Sequence, residues 1–124
     1  MRIGDVVELA AKDPGNFFIY FGNFLDDFYR VTSREKADMV REEPPWPENL
    51  PAHKMAFLAG AVEKLCLDHK IQAPAWTGKN KYVLKEPHFA LNAKGDLRIA
   101  LLVESPPEFK ARNVFVSENC LERV

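Results

Sequence analysis

The sequence predicts a mostly α-helical fold, an irregular multi-helix bundle with a loop-rich C-terminal third that contains short helical turns. Apolar residues recur at helical spacing in two long segments, 17–31 and 50–69. After residue 70 the helical pattern stops, and prolines and glycines interrupt the chain every few residues. Because 124 residues is the usual length of one domain, residues 1–124 are expected to form a single α-helical domain.

The first two helices are separated by a clear breaker. Ile3, Val6, Val7 and Ala10 lie at helical spacing and predict a helix over residues 3–12. The sequence Asp-Pro-Gly at 13–15 ends it. Asp13 is expected to cap the second helix, with Pro14 in its first turn. The second helix holds five of the nine phenylalanines, so it is expected to lie at the centre of the core.

Two more helices complete the N-terminal two thirds. Thr32 and Glu35 form a capping-box pattern that predicts a third helix, ending before Pro44. The proline-rich segment 44–51 is expected to cross the surface as an extended strap. The fourth helix follows over 50–69 with a single apolar stripe. Gly22 and Gly60, inside the second and fourth helices, are expected to mark places of close packing.

Segment 97–104 is ambiguous, because its apolar residues alternate like a strand but also fit a short buried helix. A helix is favoured here, with Asp96 as its cap and Ser105-Pro106-Pro107 as its stop. A short turn over 107–112, an extended triplet at 114–116 and a final turn capped by Ser117 are expected to follow.

Composition narrows the function classes. Hydrophobic residues make up 47% and charged residues 28% of the chain, which is typical of a soluble globular protein. A formal net charge of −1 disfavours a wholly basic nucleic-acid-binding protein. No apolar run is long enough for a signal peptide or a membrane span. Two cysteines do not make a disulfide framework. A cytoplasmic protein with reduced thiols and no membrane association is therefore expected.

Charge is unevenly distributed along the chain. Residues 1–48 carry six basic and ten acidic side chains, whereas residues 70–98 carry six basic and two acidic ones. This asymmetry has two interpretations: one acidic and one basic face on the domain, or ordinary solvated surfaces that keep the protein soluble. The sequence leaves both open.

Motifs for catalysis are missing from the sequence. The six glycines are scattered and form no phosphate-binding loop, and neither a G-x-S-x-G nor an H-E-x-x-H pattern occurs. No catalytic residue and no cofactor are predicted, and an enzymatic role is disfavoured. Cys66 and His69 have the spacing of half a zinc site, but both also complete the apolar stripe of the fourth helix. Core packing is the favoured role, so no metal site is predicted.

The segment 70–98 is the predicted partner-binding region, because it combines positive charge with large aromatic side chains in irregular structure. Its lysines and aromatic rings also suit unpaired nucleic acid, by neutralising phosphates and stacking on bases. The aromatic residues have a second interpretation, as anchors of a long loop. The candidate partner-binding residues are Trp76, Lys79, Lys81, Tyr82, Lys85, Arg98 and Arg112.

Arg98, Glu104 and Arg112 also have a structural alternative. These three side chains could form an ion-pair network that holds the C-terminal segment, or they could present a polar patch to a partner protein. The sequence does not separate the two.

Four sequence blocks resemble a family of proteins. The chain reads Phe-Leu-Asp-Asp-Phe at 24–28, Ala-Phe-Leu-Ala-Gly-Ala-Val-Glu at 56–63, Pro-Ala-Trp-Thr at 74–77 and Glu-Ser-Pro-Pro-Glu-Phe-Lys-Ala-Arg-Asn-Val-Phe-Val at 104–116. In these blocks it is similar to small uncharacterised bacterial proteins often encoded beside nucleotidyltransferase-fold proteins, in pairs that resemble toxin–antitoxin modules. The resemblance implies the smaller, antitoxin-like partner and carries no catalytic residue with it.

These observations together predict a non-enzymatic protein-interaction module that binds a partner protein. The alternative is a nucleic-acid-binding regulator that uses the basic, aromatic-containing segment 70–98.

Overall fold

The computed structural model describes residues 1–123 and contains six α-helices within them. These are α1 (Ile3–Lys12), α2 (Phe17–Arg30), α3 (Ser33–Val40), α4 (Ala52–Asp68), α5 (Asp96–Glu104) and α6 (Pro107–Lys110). Single 3-10 turns occur at Pro14–Asn16, Ala75–Gly78, Asn80–Tyr82 and Ala90–Asn92. Helical residues make up 61% of the chain, and loops dominate its C-terminal part, so the predicted mostly α fold is confirmed.

Helices α2 and α4 lie side by side and run in the same direction. Near their starts the rings of Phe18 and Phe57 are 5.3 Å apart, and near their ends those of Phe28 and His69 are 5.2 Å apart. The centre of α4 is buried on almost every side, from Met55 to Val62. The aromatic side chains of α2 and α4 therefore meet in the core, where α1 packs on α2 and α6 packs on α4.

Gly60 lets α6 pack directly on α4. A Cβ at Gly60 would lie only 3.0 Å from the ring of Phe109, so a larger residue would force that ring to move. The close packing predicted there is confirmed. At Gly22 the neighbour is a side chain instead of a helix, because the guanidinium of Arg123 occupies the space where a Cβ would be, 2.9 Å from it.

A two-residue parallel pairing joins the loop region to the C-terminal segment. Strand β1 (His88–Phe89) pairs with β2 (Val114–Phe115), with His88 opposite Val114. The sequence predicted an extended segment at 114–116 but a loop at 88–89. Two residues are too few to show the alternation that marks a strand, and tertiary contacts decide the pairing.

The cap predicted at Thr32 is confirmed and the cap predicted at Asp96 is wrong. Asp13 lies at the N-cap position of the turn Pro14–Asn16 that leads into α2, with Pro14 in the first turn as predicted, but its side chain does not bond the backbone there. The Thr32 hydroxyl accepts a hydrogen bond from the Glu35 amide at 3.3 Å, as a capping residue should. The Asp13 carboxylate instead accepts hydrogen bonds from the Asn16 and Tyr20 side chains, each at 2.8 Å. Asp96 is the first residue of α5 and not its cap.

Gly95 precedes α5 with a φ of 57°, a left-handed conformation that favours glycine. The helix predicted over 97–104 is present and begins one residue earlier, at Asp96.

None of the helices within residues 1–123 has both the length and the apolar character needed to span a membrane.

Candidate interaction site

Three of the seven predicted partner-binding residues lie in the interior. Trp76, Tyr82 and Arg112 are each at most 5% exposed. The Trp76 indole donates a hydrogen bond to the Val40 carbonyl at 3.0 Å, and its ring centroid is 5.5 Å from that of Tyr82. These aromatic rings anchor the irregular segment to the core, which was the second interpretation of the sequence.

Arg112 joins three parts of the fold. Its guanidinium forms an ion pair with Glu63 of α4 at 3.2 Å. The same group donates to the carbonyl oxygens of Glu108 at 2.7 Å and Thr77 at 2.6 Å. Because a guanidinium offers five N–H donors in a fixed plane, one side chain can hold α4, α6 and the turn Ala75–Gly78 together.

Lys79 and Lys81 pair with an acidic residue from the N-terminal half. Their ammonium groups lie 2.6 Å and 2.9 Å from the two carboxylate oxygens of Glu43. The Tyr82 hydroxyl donates to the same carboxylate at 2.8 Å. Hydrogen bonds from the two lysines and from Tyr82 lower the pKa of Glu43 to about 2. The acidic and basic segments of the sequence therefore meet at this point and partly neutralise each other.

Arg98 and Lys85 lie at the surface. The Arg98 guanidinium stacks over the ring of Phe89, 4.3 Å from its centroid, and donates to the Ala93 carbonyl at 3.3 Å. Lys85 is exposed. Of the two alternatives that the sequence left open for Arg98, Glu104 and Arg112, the shared ion-pair network does not form among the described residues. Arg98 stacks on Phe89, and Arg112 pairs with Glu63.

The outer side of α5 carries three exposed apolar side chains close together. Residues Ile99, Leu102 and Val103 are 59%, 43% and 75% exposed. They follow one another at helical spacing on the side opposite Leu101, which is buried with Ala93 and Phe115. A surface helix normally turns charged residues outward. We call Ile99, Leu102 and Val103 the α5 surface.

Sequence reasoning missed the α5 surface because it read the apolar residues of 97–104 as a buried helix. A nine-residue helix that is apolar on every side needs neighbours on every side. The signal was present in the flanking sequence, since irregular segments on both sides of α5 leave few elements to cover it.

Cys66 and His69 both pack against the core. The Cys66 side chain is fully buried, and burial raises the pKa of its thiol to about 11, which disfavours the thiolate that binds metals. His69 packs edge-on against Phe28. Within residues 1–123, no group of three or more His, Cys, Asp or Glu side chains is placed to hold a metal ion.

Comparison with known proteins gives no further guide to this surface. No protein-family profile, no curated protein and no solved structure matches the chain.

Proposed function

We propose that the protein is a non-enzymatic interaction module that binds a partner protein through the α5 surface. The observation that carries this proposal is the outward-facing apolar row of Ile99, Leu102 and Val103. Covering such side chains removes apolar area from water, which is the main driving force for protein association. The resemblance to antitoxin-like proteins supports a partner that is encoded nearby.

The arrangement of charge favours a protein partner over nucleic acid. A phosphate that approached Lys79 or Lys81 would have to compete with Glu43 for both ammonium groups. Trp76 and Tyr82 are buried, so their rings are not accessible for stacking on bases. These contacts weaken the case for the basic segment 70–98 as a nucleic-acid site.

Affinity purification from the native host tests the proposal. The tagged wild-type chain should recover one partner protein in a stoichiometric amount. The double variant Ile99→Lys/Val103→Lys should lose that partner, because it places two charges in the middle of the apolar surface. Its melting temperature should stay close to that of the wild type, since both side chains are already exposed.

Leu67→Lys is the matched control. Leu67 is 67% exposed on α4, outside the α5 surface, so the substitution places one lysine on an exposed apolar position elsewhere. It should retain the partner in full. Equal loss of the partner in both variants, or recovery of nucleic acid in place of a protein, would contradict the proposal.

A further inference from the structure

A groove of about 430 Å³ lies along α2 and opens to the surface. Small-molecule sites usually enclose about 300–1,000 Å³ and are lined mainly by apolar side chains. Side chains from α2, α4, α5 and the chain after β2 converge on this groove. Its apolar lining includes Phe18, Phe21, Leu25, Phe57, Leu101 and Val116.

One face of α2 lines the groove over two helical turns. Phe18 and Leu25 are seven residues apart and both line it. At a rise of 1.5 Å per residue, this face is about 10 Å long. An extended chain of methylene groups fits this shape.

One end of the groove carries nitrogen-containing side chains. His53 and Lys54 lie in the first turn of α4, and His88 lies in β1. The two imidazole rings are stacked, with centroids 3.8 Å apart and planes inclined by 10°. The Lys54 ammonium donates to the Pro14 carbonyl at 2.9 Å, which leaves two of its three N–H donors for a ligand.

The single acidic residue among the lining side chains belongs to the opposite end. Glu122 is adjacent in the chain to Arg123, whose guanidinium lies against Gly22 and pairs with Asp26 at 2.9 Å. Positive charge at Arg123 is therefore already matched, whereas the positive charge at Lys54 has no carboxylate beside it among the lining residues.

We propose that this groove binds an elongated apolar molecule with one terminal carboxylate, such as a medium-chain fatty acid. The chain would lie along Phe18, Phe21 and Leu25, and the carboxylate would accept hydrogen bonds from Lys54 and the two imidazoles. This site is separate from the α5 surface and does not depend on the proposed protein partner.

Calorimetric titration with hexanoate, octanoate and octanol tests the proposal. Affinity should rise about fourfold for each added methylene, which corresponds to the usual gain from burying one CH₂ group. Octanoate should bind more tightly than octanol, because only the acid uses the charged end. Octanoate should also raise the pKa of His53 and His88, measured by NMR, since a nearby negative charge favours imidazolium.

Three variants make the test specific. Lys54→Met should weaken the binding of octanoate about tenfold and leave the affinity for octanol unchanged. Lys12→Met removes an exposed lysine at the end of α1 and should change the affinity for neither ligand. Ala90→Phe should abolish the binding of both octanoate and octanol, because Ala90 lines the groove and the added ring fills it.

The proposal is wrong if none of the three probes binds saturably to the folded wild-type protein. It is also wrong if octanoate and octanol bind equally and Lys54→Met has no effect. If the acids do not bind and Ala90→Phe instead loses the co-purified protein, the groove belongs to the protein interface.

Discussion

Arg112 and Glu63 form the ion pair that fastens the C-terminal segment to the core, with 3.2 Å between Nη2 and Oε2. Arg112 is 4% exposed, whereas the Glu63 side chain keeps contact with solvent at 36%. The two partners of this ion pair therefore differ in burial. Removing the arginine leaves a carboxylate that water can still reach, but it also leaves the carbonyls of Thr77 and Glu108 without their donor.

Arg112→Met should lower the free energy of unfolding by about 2–4 kcal/mol, because it removes buried hydrogen bonds to two carbonyls as well as the ion pair. Urea unfolding at neutral pH measures this. Arg98→Met is the matched control, and its cost should stay within about 1 kcal/mol, since Arg98 lies at the surface. Equal costs for the two variants would contradict the anchoring role of Arg112.

Gly60→Ala should destabilise the protein even though alanine favours helices. A Cβ at this position meets the Phe109 ring at 3.0 Å, so the ring has to move by a few tenths of an ångström. Because Phe109 is fully buried, we expect this overpacking to cost about 1–3 kcal/mol. Gly4→Ala, in α1, has no atom within 4 Å of the new Cβ and should stabilise by up to about 1 kcal/mol. Opposite signs in thermal melting are expected, and a stabilising Gly60→Ala would show that the contact is not tight.

These examples show how far the sequence leads. The helical periods of α1, α2 and α4 depend on local spacing, so they could be predicted residue by residue. The role of Arg112 could not, because Glu63 lies 49 residues away and no local pattern links the two. Trp76 and Tyr82 look the same in the sequence whether they lie in an exposed binding loop or anchor a loop to the core. Only the path of the chain, which brings them to Val40 and Glu43, shows that they are anchors.

The irregular segments on both sides of α5 indicate that this helix is incompletely covered, but the sequence does not show which of its apolar residues are exposed. The sequence of a nine-residue apolar helix is the same whether neighbouring elements cover one side of the helix or all of it. Only the position of α5, with Leu101 turned inward and Val103 turned outward, shows which apolar residues lack cover in this chain.

Acidification below pH 6.5 should destabilise the protein through its histidines. Burial lowers the pKa of His53, His69 and His88 from the usual 6.5, and the proximity of His88 and Lys54 lowers that of His53 further. The unfolded chain therefore binds protons at higher pH than the folded one. The histidines' contribution to stability is complete above pH 6.5 and is lost as pH falls from there through the folded-state pKa values.

Thermal melting between pH 8 and pH 5 measures this effect. The double variant His53→Phe/His88→Phe should show a shallower loss of melting temperature over this range than the wild type. Identical profiles would contradict the contribution of the stacked pair, because the carboxylates with lowered pKa values, Asp13, Asp26 and Glu43, titrate below this range.

The hydrogen bond between Tyr82 and Glu43 should be worth about 1 kcal/mol in a double-mutant cycle. Tyr82→Phe removes the hydroxyl and keeps the ring, and Glu43→Met removes the accepting oxygens and keeps a side chain of similar length. Chemical unfolding of the two single variants and the double variant gives the coupling free energy. A coupling near zero would mean that Lys79 and Lys81 alone hold the carboxylate.

The central claim is that an apolar surface, and not the basic segment, recognises the partner protein. The most direct test is the dissociation constant of the co-purified partner at about 0.1 M and 1 M salt, where screening lengths are roughly 10 Å and 3 Å. Affinity for the wild type should be nearly independent of salt, Ile99→Lys/Val103→Lys should abolish it, and Lys85→Glu should leave it unchanged. Strongly salt-dependent binding that survives the α5 substitutions and is lost in Lys85→Glu would contradict the account.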